Sequence, residues 1–145
     1  MADKKEIGAG TILKLGDGEA TEVFTAVAKI RSIDPITETK PLVDVTDLES
    51  VAREYIGGLK DGDEFGITAA LLMDSTTHGE TDGLDSVFLS SQASNFEILP
   101  NSQSKKIKFA AICTQRGFGG FDAEGLMQHT WRMKITGGVT VVANT

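Results

Sequence analysis

Lys105-Lys106-Ile107-Lys108-Phe109-Ala110-Ala111-Ile112-Cys113-Thr114 changes character at almost every step. Ile107, Phe109, Ala111 and Cys113 fall on one side, and Lys106, Lys108 and Thr114 on the other. A period of two is what a strand with one buried and one solvated face requires. The same alternation returns at Trp131, Met133 and Ile135, set against Thr130, Arg132, Lys134 and Thr136, and Val139–Val142 continues it past Gly137-Gly138. Two glycines inside such a run predict a bulge or bend within the strand, not its end.

Working outward, Phe24, Ala26, Ala28 and Ile30 alternate with Thr25, Lys29 and Arg31 and predict one strand over 21–33. A shorter strand precedes it over 7–15, followed by the turn Gly16-Asp17-Gly18. Phe65, Ile67, Ala69 and Leu71 follow the turn Asp61-Gly62-Asp63, and Phe96 and Ile98 lie on one face of a run that Pro100 closes. Helical spacing occurs twice. Leu84, Val87 and Phe88 predict an amphipathic helix within 81–92 with Asp82 as candidate cap. Leu48, Val51, Ala52 and Tyr55 fit either a helix closed by Gly57-Gly58 or an ordered loop. The polar connection 34–41, with prolines at both 35 and 41, suits an exposed loop or hairpin tip. The expected fold is mainly β: a β-sandwich or barrel of about seven strands with one flanking α-helix.

Composition narrows the function. A chain of 145 residues fits one domain, 1–145, with residues 1–6 as a flexible N-terminal arm. Sixteen glycines exceed the roughly 7% average usage and imply many turns. The net charge of −7 argues against a protein that grips nucleic acid by neutralising phosphates. One cysteine, Cys113, excludes an internal disulfide and fits assembly in a reducing compartment. Met-Ala-Asp-Lys-Lys-Glu shows no apolar stretch of a secretory signal, and no run is long enough to span a bilayer, so no membrane partner is expected.

Residues 1–64 hold 14 acids and 8 bases, residues 65–104 hold 5 acids and no base, and residues 105–145 hold 6 bases and 2 acids. Such segregation either disperses on folding or leaves two faces of opposite sign that favour head-to-tail self-association. In the second case, salt should loosen the assembly.

No catalytic signature is present, and neither a cofactor nor a metal is expected. Gly117-Phe118-Gly119-Gly120-Phe121 is glycine-rich but sets two aromatics where a phosphate would approach, so it reads as a hairpin or contact loop. Asp61-Gly62-Asp63-Glu64 lacks the ligand ladder of a calcium loop. His78 and His129 read as exposed or packed side chains, and Cys113 as a small hydrophobe.

Several runs, in order, carry a resemblance: Ile33-Asp34-Pro35; Val43-Asp44-Val45-Thr46-Asp47-Leu48-Glu49-Ser50; Arg53-Glu54-Tyr55-Ile56-Gly57-Gly58-Leu59-Lys60-Asp61; and Trp131 to Thr140. Together they resemble the major tail tube proteins of long-tailed bacteriophages, a family related to the needle tube of type VI secretion. The resemblance implies a structural virion protein that self-assembles into stacked, hexameric rings, forming the hollow tail tube through which DNA is delivered. It also implies a tape measure protein inside, tail tip and terminator proteins at the ends, transient passage of DNA, and assembly in the host bacterial cytoplasm. Some members carry an extra C-terminal immunoglobulin-like domain; without one, a smooth tube is expected.

Many members line the channel with acidic residues, whereas the polar strand faces here include Lys29, Arg31, Lys106 and Lys108. Candidate ring-stacking residues are Asp34, Pro35, Thr37, Glu38, Lys40, Pro41, Asp44, Asp47 and Glu49. The rival readings are a β-barrel that holds a small apolar ligand, which requires a large internal cavity, and an enzyme built on a carboxylate pair such as Asp61 with Asp63.

Overall fold

The computed structural model describes residues 8–143, so the N-terminal arm lies outside the described residues. The elements run β1 (Ile12–Gly16), β2 (Phe24–Ala26), β3 (Ile30–Ile33), β4 (Glu38–Thr39), β5 (Leu42–Asp44), β6 (Tyr55–Gly57), β7 (Asp61–Gly62), β8 (Glu64–Ala70), α1 (Leu84–Leu89), β9 (Ser94–Leu99), β10 (Lys105–Gly119) and β11 (Gln128–Ala143). Seven of them form an antiparallel sheet in the order β2-β1-β9-β10-β11-β8-β3, and β4-β7 and β5-β6 make two small ribbons. The mainly β fold with one helix is as the alternation requires.

The long hairpin β10–β11 organises the sheet: one half of β10 pairs with β9, and one half of β11 with β8. Inward-facing residues make the core, among them Trp131, Met133, Ile135, Phe65, Ile67, Phe109, Ala111, Phe96 and Leu13, with Leu84 and Val87 of α1 closing it. Phe109 packs edge-on to Phe65 at 5.4 Å and stacks with Phe96 at 5.5 Å. Gly137 lies at φ 78°, and β10 and β11 change register between Lys108 and Ala110, so the paired glycines bend the strand without ending it.

The run 21–33 is two strands, not one. β2 and β3 sit on opposite edges of the sheet, separated by 27–29, where Lys29 takes φ 55°. Four Cα steps from Ala26 to Ile30 reach at most roughly 14 Å, so the two edges approach each other and the sheet curls toward closure. The alternation does not survive the break: Val27, on the side of Thr25 and Lys29, is buried against the core where the chain crosses, and Ala26 is exposed.

The helix is shorter than its pattern: only six residues, with Gly83 and not Asp82 at its cap. The preceding turn takes over the capping. Leu84 N–H donates to Thr77 O, Asp85 N–H to His78 O and Ser86 N–H to Gly79 O. A Cβ on Gly83 would lie 2.4 Å from Gly79 N and 2.5 Å from the Thr77 carbonyl carbon, both of them backbone atoms. Gly83→Ala is therefore expected to cost about 1–3 kcal/mol, read as a Tm lowered by several degrees in thermal unfolding. An unchanged Tm would show that the turn opens freely.

Candidate assembly surface

Between β3 and β8 the chain leaves the sheet and builds an arm over residues 34–63. Its base is sewn down. Asp34 exchanges bonds with Gly66, its N–H donating to Gly66 O at 2.9 Å and its carboxylate accepting from Gly66 N at 3.0 Å. Asp63 N–H donates to Thr37 O, and Val139 N–H donates to the Glu38 carboxylate at 3.1 Å. Lys60 lies 3.8 Å from the same carboxylate. Ile36 packs on the core and Glu38–Thr39 pairs with β7, so 34–41 is more firmly anchored than a plain loop. Gly62 is buried against Ile135, where a Cβ would come within 2.6 Å of that side chain.

Beyond the base, β5 and β6 form a ribbon whose side chains are exposed throughout. The tip is an Asx-type turn: the Asp47 carboxylate accepts from Glu49 N at 2.9 Å and from the Ser50 hydroxyl. That local capping displaces the helix allowed by the Leu48, Val51, Tyr55 spacing. Asp44 pairs with Arg53 at 2.9 Å. The Thr46 side chain and its backbone N–H hold the Asp44 carboxyl below its usual range, with Arg53 adding to the effect.

The nine candidate stacking residues therefore divide. Asp34, Thr37 and Glu38 hold the base of the arm, while Asp44 and Asp47 shape its tip. Pro35, Lys40, Pro41 and Glu49 are exposed along it. The residues that the sequence reading passed over are apolar. Leu42, Val43, Val45, Leu48, Val51, Tyr55, Ile56 and Leu59 are all exposed, Leu48 and Val51 fully so at 106% and 103%. Leu42 and Val43 are neighbours in a strand and point to opposite faces, so neither face of the ribbon is covered. A two-stranded ribbon is marginal alone in water, and uncovered apolar area on both faces makes this one the candidate interaction surface.

A second apolar cluster occupies the other end of β8. Leu72, Met73, Phe121, Leu126 and Met127 are exposed there, and Leu71 N–H donates to Met127 O. The seven residues of β8 put roughly 20 Å between this cluster and the root of the arm.

Five of the six cations of the C-terminal block pair within the chain: Lys106 and Lys108 with buried Glu97, Arg116 with Glu80 and Asp85, Arg132 with Glu64, and Lys134 with Asp61. Folding thus sets most of that block against acids of the earlier segments. The rival sites fare no better. Aromatic and aliphatic side chains fill the interior that an apolar-ligand barrel would need. A cavity of about 530 Å³ is an open cleft between the β1–β2 turn and α1, lined largely by Ser, Thr, Asp and Glu. Asp61 is engaged by Lys134, and both Asp61 and Asp63 are exposed. Cys113 is buried, and burial pushes its thiol upward in pKa.

Comparison of the fold with solved structures gives consistent neighbours. A chain from the tail of an empty gene transfer agent particle, refined with C6 symmetry, superposes with TM-score 0.71 at 21% identity over 96% of this chain and 100% of that one. The fold is the one tail tubes use. A chain from the sheath/tube terminator of an extracellular contractile injection system matches with TM-score 0.72 at 12% identity, covering 99% of this chain and 100% of its own. The SPP1 tail tube matches with TM-score 0.69 at 8% identity over 92% of this chain and 77% of that one. No protein-family model and no curated protein sequence matches. The resemblance carried by the sequence motifs thus holds at the level of fold.

Proposed function

We propose that this chain is the structural, non-enzymatic subunit of a virion tail tube: copies close into six-membered rings, and the rings stack through the arm 34–63. The observation that carries this reading is the arm itself, anchored at its base and apolar on both uncovered faces, on a fold shared with tail tube chains. The six-fold ring follows the C6 symmetry of the gene transfer agent tail. In this reading a tape measure protein occupies the lumen during assembly in the host bacterial cytoplasm, and tip and terminator proteins close the ends. DNA then passes without sticking, because the chain is acidic overall.

Negative-stain imaging of the purified chain at high concentration tests the reading. Rings or tubes are expected, and dispersed monomers at every concentration would overturn it. Because most cations of the C-terminal block are paired in cis and the arm presents apolar side chains, tubes should persist as NaCl rises from about 0.1 to 1 M, since salt screens exposed charge and does not weaken apolar burial. Dissolution over that range would return the contact to charge pairing between subunits.

A further inference from the structure

Under α1 lies a group of ionisable side chains for which tube assembly has no use. His78 and His129 are 1% and 2% exposed, and Asp85 is 6% exposed. Asp85 Oδ1 accepts the indole N–H of Trp131 at 2.8 Å, and Oδ2 lies 3.4 Å from the Arg116 guanidinium, which also reaches Glu80 at 3.1 Å. His129 stacks between Phe118, at 4.5 Å, and Trp131, at 4.0 Å, with His78 edge-on at 6.0 Å. Its Nε2 is 3.0 Å from Asp85 Oδ1 but off the line of a hydrogen bond, and its Nδ1 has no partner. His78 Nε2 bonds Ala28 O at 2.6 Å; a carbonyl only accepts, so this nitrogen carries the proton, and Nδ1 is left without a partner.

These contacts are how the segment 75–90 is held to the sheet. Its backbone bonds are mostly internal: Leu84 to Thr77, Asp85 to His78, Ser86 to Gly79 and Ser90 to Ser86. The ties to other elements run through side chains: Thr77 and His78 to Ala28, Asp85 to Trp131 and Arg116, and the apolar Leu84 and Val87. We propose that this segment is an acid-released latch, closed while His129 is uncharged and opened when His129 takes a proton.

The chemistry follows from placing a second cation beside Arg116. Asp85 Oδ1 and Oδ2 already hold the Trp131 N–H and Arg116. Each oxygen has a further lone pair to offer, but His129 Nε2 meets Oδ1 off the line of a hydrogen bond, so a buried imidazolium there would lose its water without gaining an aligned acceptor. Turning Asp85 to meet it strains the contacts that tie α1 to the sheet, and opening the segment hydrates the charge instead. The charged and titratable groups around His129 are Asp85 from α1, His78 and Glu80 from the preceding turn, and Arg116 and Cys113 from β10. The neighbouring residues of β8, Ile67 and Ala69, are apolar, and Lys29 of the β2–β3 link is exposed.

Burial, opposed by Asp85 and reinforced by His78 and Arg116, lowers the His129 pKa below its ordinary value. The sign is then fixed. Above the unfolded value of about 6.5 neither state binds the proton and the latch is at full strength. As pH falls below it the opened state binds the proton first, and the loss is complete once the folded pKa is passed.

The chain has two histidines and one tryptophan, so both ends of the device can be read in the wild-type protein. Histidine ring NMR from pH 8 to 5 should give His129 a midpoint below that of a free histidine. Over the same range, the exchange protection of the α1 amides should fall by up to about tenfold per pH unit, as for a single proton taken up on opening, while protection in β10 and β11 persists. Trp131 fluorescence should shift in step. The proposal is overturned if α1 protection is unchanged at pH 5, or if α1, β10 and β11 lose protection together. His129→Phe should abolish the pH dependence where it folds; if it does not fold, the wild-type titration alone decides. A folded His129→Phe whose α1 still opens with acid would also overturn it.

Discussion

Replacing Leu48 and Val51 together by serine yields a folded subunit that forms no tubes. Both side chains are as exposed as in an extended chain, so they contribute nothing measurable to the fold of the single subunit. The monomer should keep its Tm and its circular dichroism, with any stability change inside about 0.5 kcal/mol. Assembly is where the loss appears. Full burial of a Leu or Val side chain against a neighbour is worth about 1.5–3 kcal/mol, and two such losses recur at every arm in the tube. Removing ~3 kcal/mol or more per contact lowers the association constant by a factor of 100 or more, since 1.4 kcal/mol is about tenfold. Sedimentation and negative-stain imaging of the variant beside the wild type give the measurement. Tubes of normal length at the wild-type critical concentration would remove the arm tip from the interface.

Asp85→Ala should be strongly destabilising. It removes the carboxylate that Trp131 Nε1 and Arg116 share in a site with little access to water. The indole N–H is left buried without an acceptor, and Arg116 keeps only Glu80. Truncating one partner of a buried charge pair costs about 3–5 kcal/mol, which for a domain of this size lowers Tm by roughly 10 °C. Asp85→Asn tests the division of that cost: its amide oxygen can still accept from Trp131, so it should restore part of the loss and leave the part due to Arg116. A fall of less than about 1 kcal/mol in Asp85→Ala, measured by denaturant unfolding, would show that Trp131 and Arg116 find other partners at little cost.

How far the sequence was legible follows from where its periodicity is undisturbed. β8 and the facing stretches of β10 and β11 alternate cleanly because one face of each meets the core, whereas in β9 Glu97 is buried between Phe96 and Ile98. Legibility ends at Thr114. There β10 gains one residue relative to β11, since Cys113 pairs with Met133 and Gln115 with Arg132. The bulge reverses the side of every later residue, which brings Arg116 inward beside Trp131. By simple alternation Arg116 would join Lys106 and Lys108 on the solvated face, so its pairing with Asp85 could not be read from spacing, whereas His129 continues the inward face of Trp131, Met133 and Ile135.

The arm was legible only as a choice. Leu48, Val51 and Tyr55 fit a helix or an ordered loop, and the chain takes the loop up to β6, with all three side chains facing solvent. What covers such side chains is not written in the spacing of one chain. The nine stacking candidates lie in the same arm, interleaved with these exposed apolar residues.

The short link between β2 and β3 bears on how such a subunit survives at high concentration. An open sheet offers two rows of unpaired backbone groups that can recruit further strands without limit. Here those rows belong to strands of three and four residues, drawn toward each other by a connection of three residues. Neither is long enough to template a foreign strand. Sheet-on-sheet fibres are thereby disfavoured, and the subunit pool can be large without precipitating along its edges. In the proposed tube, growth is then left to contacts that a ring presents in register, which separates ordered polymer from aggregate.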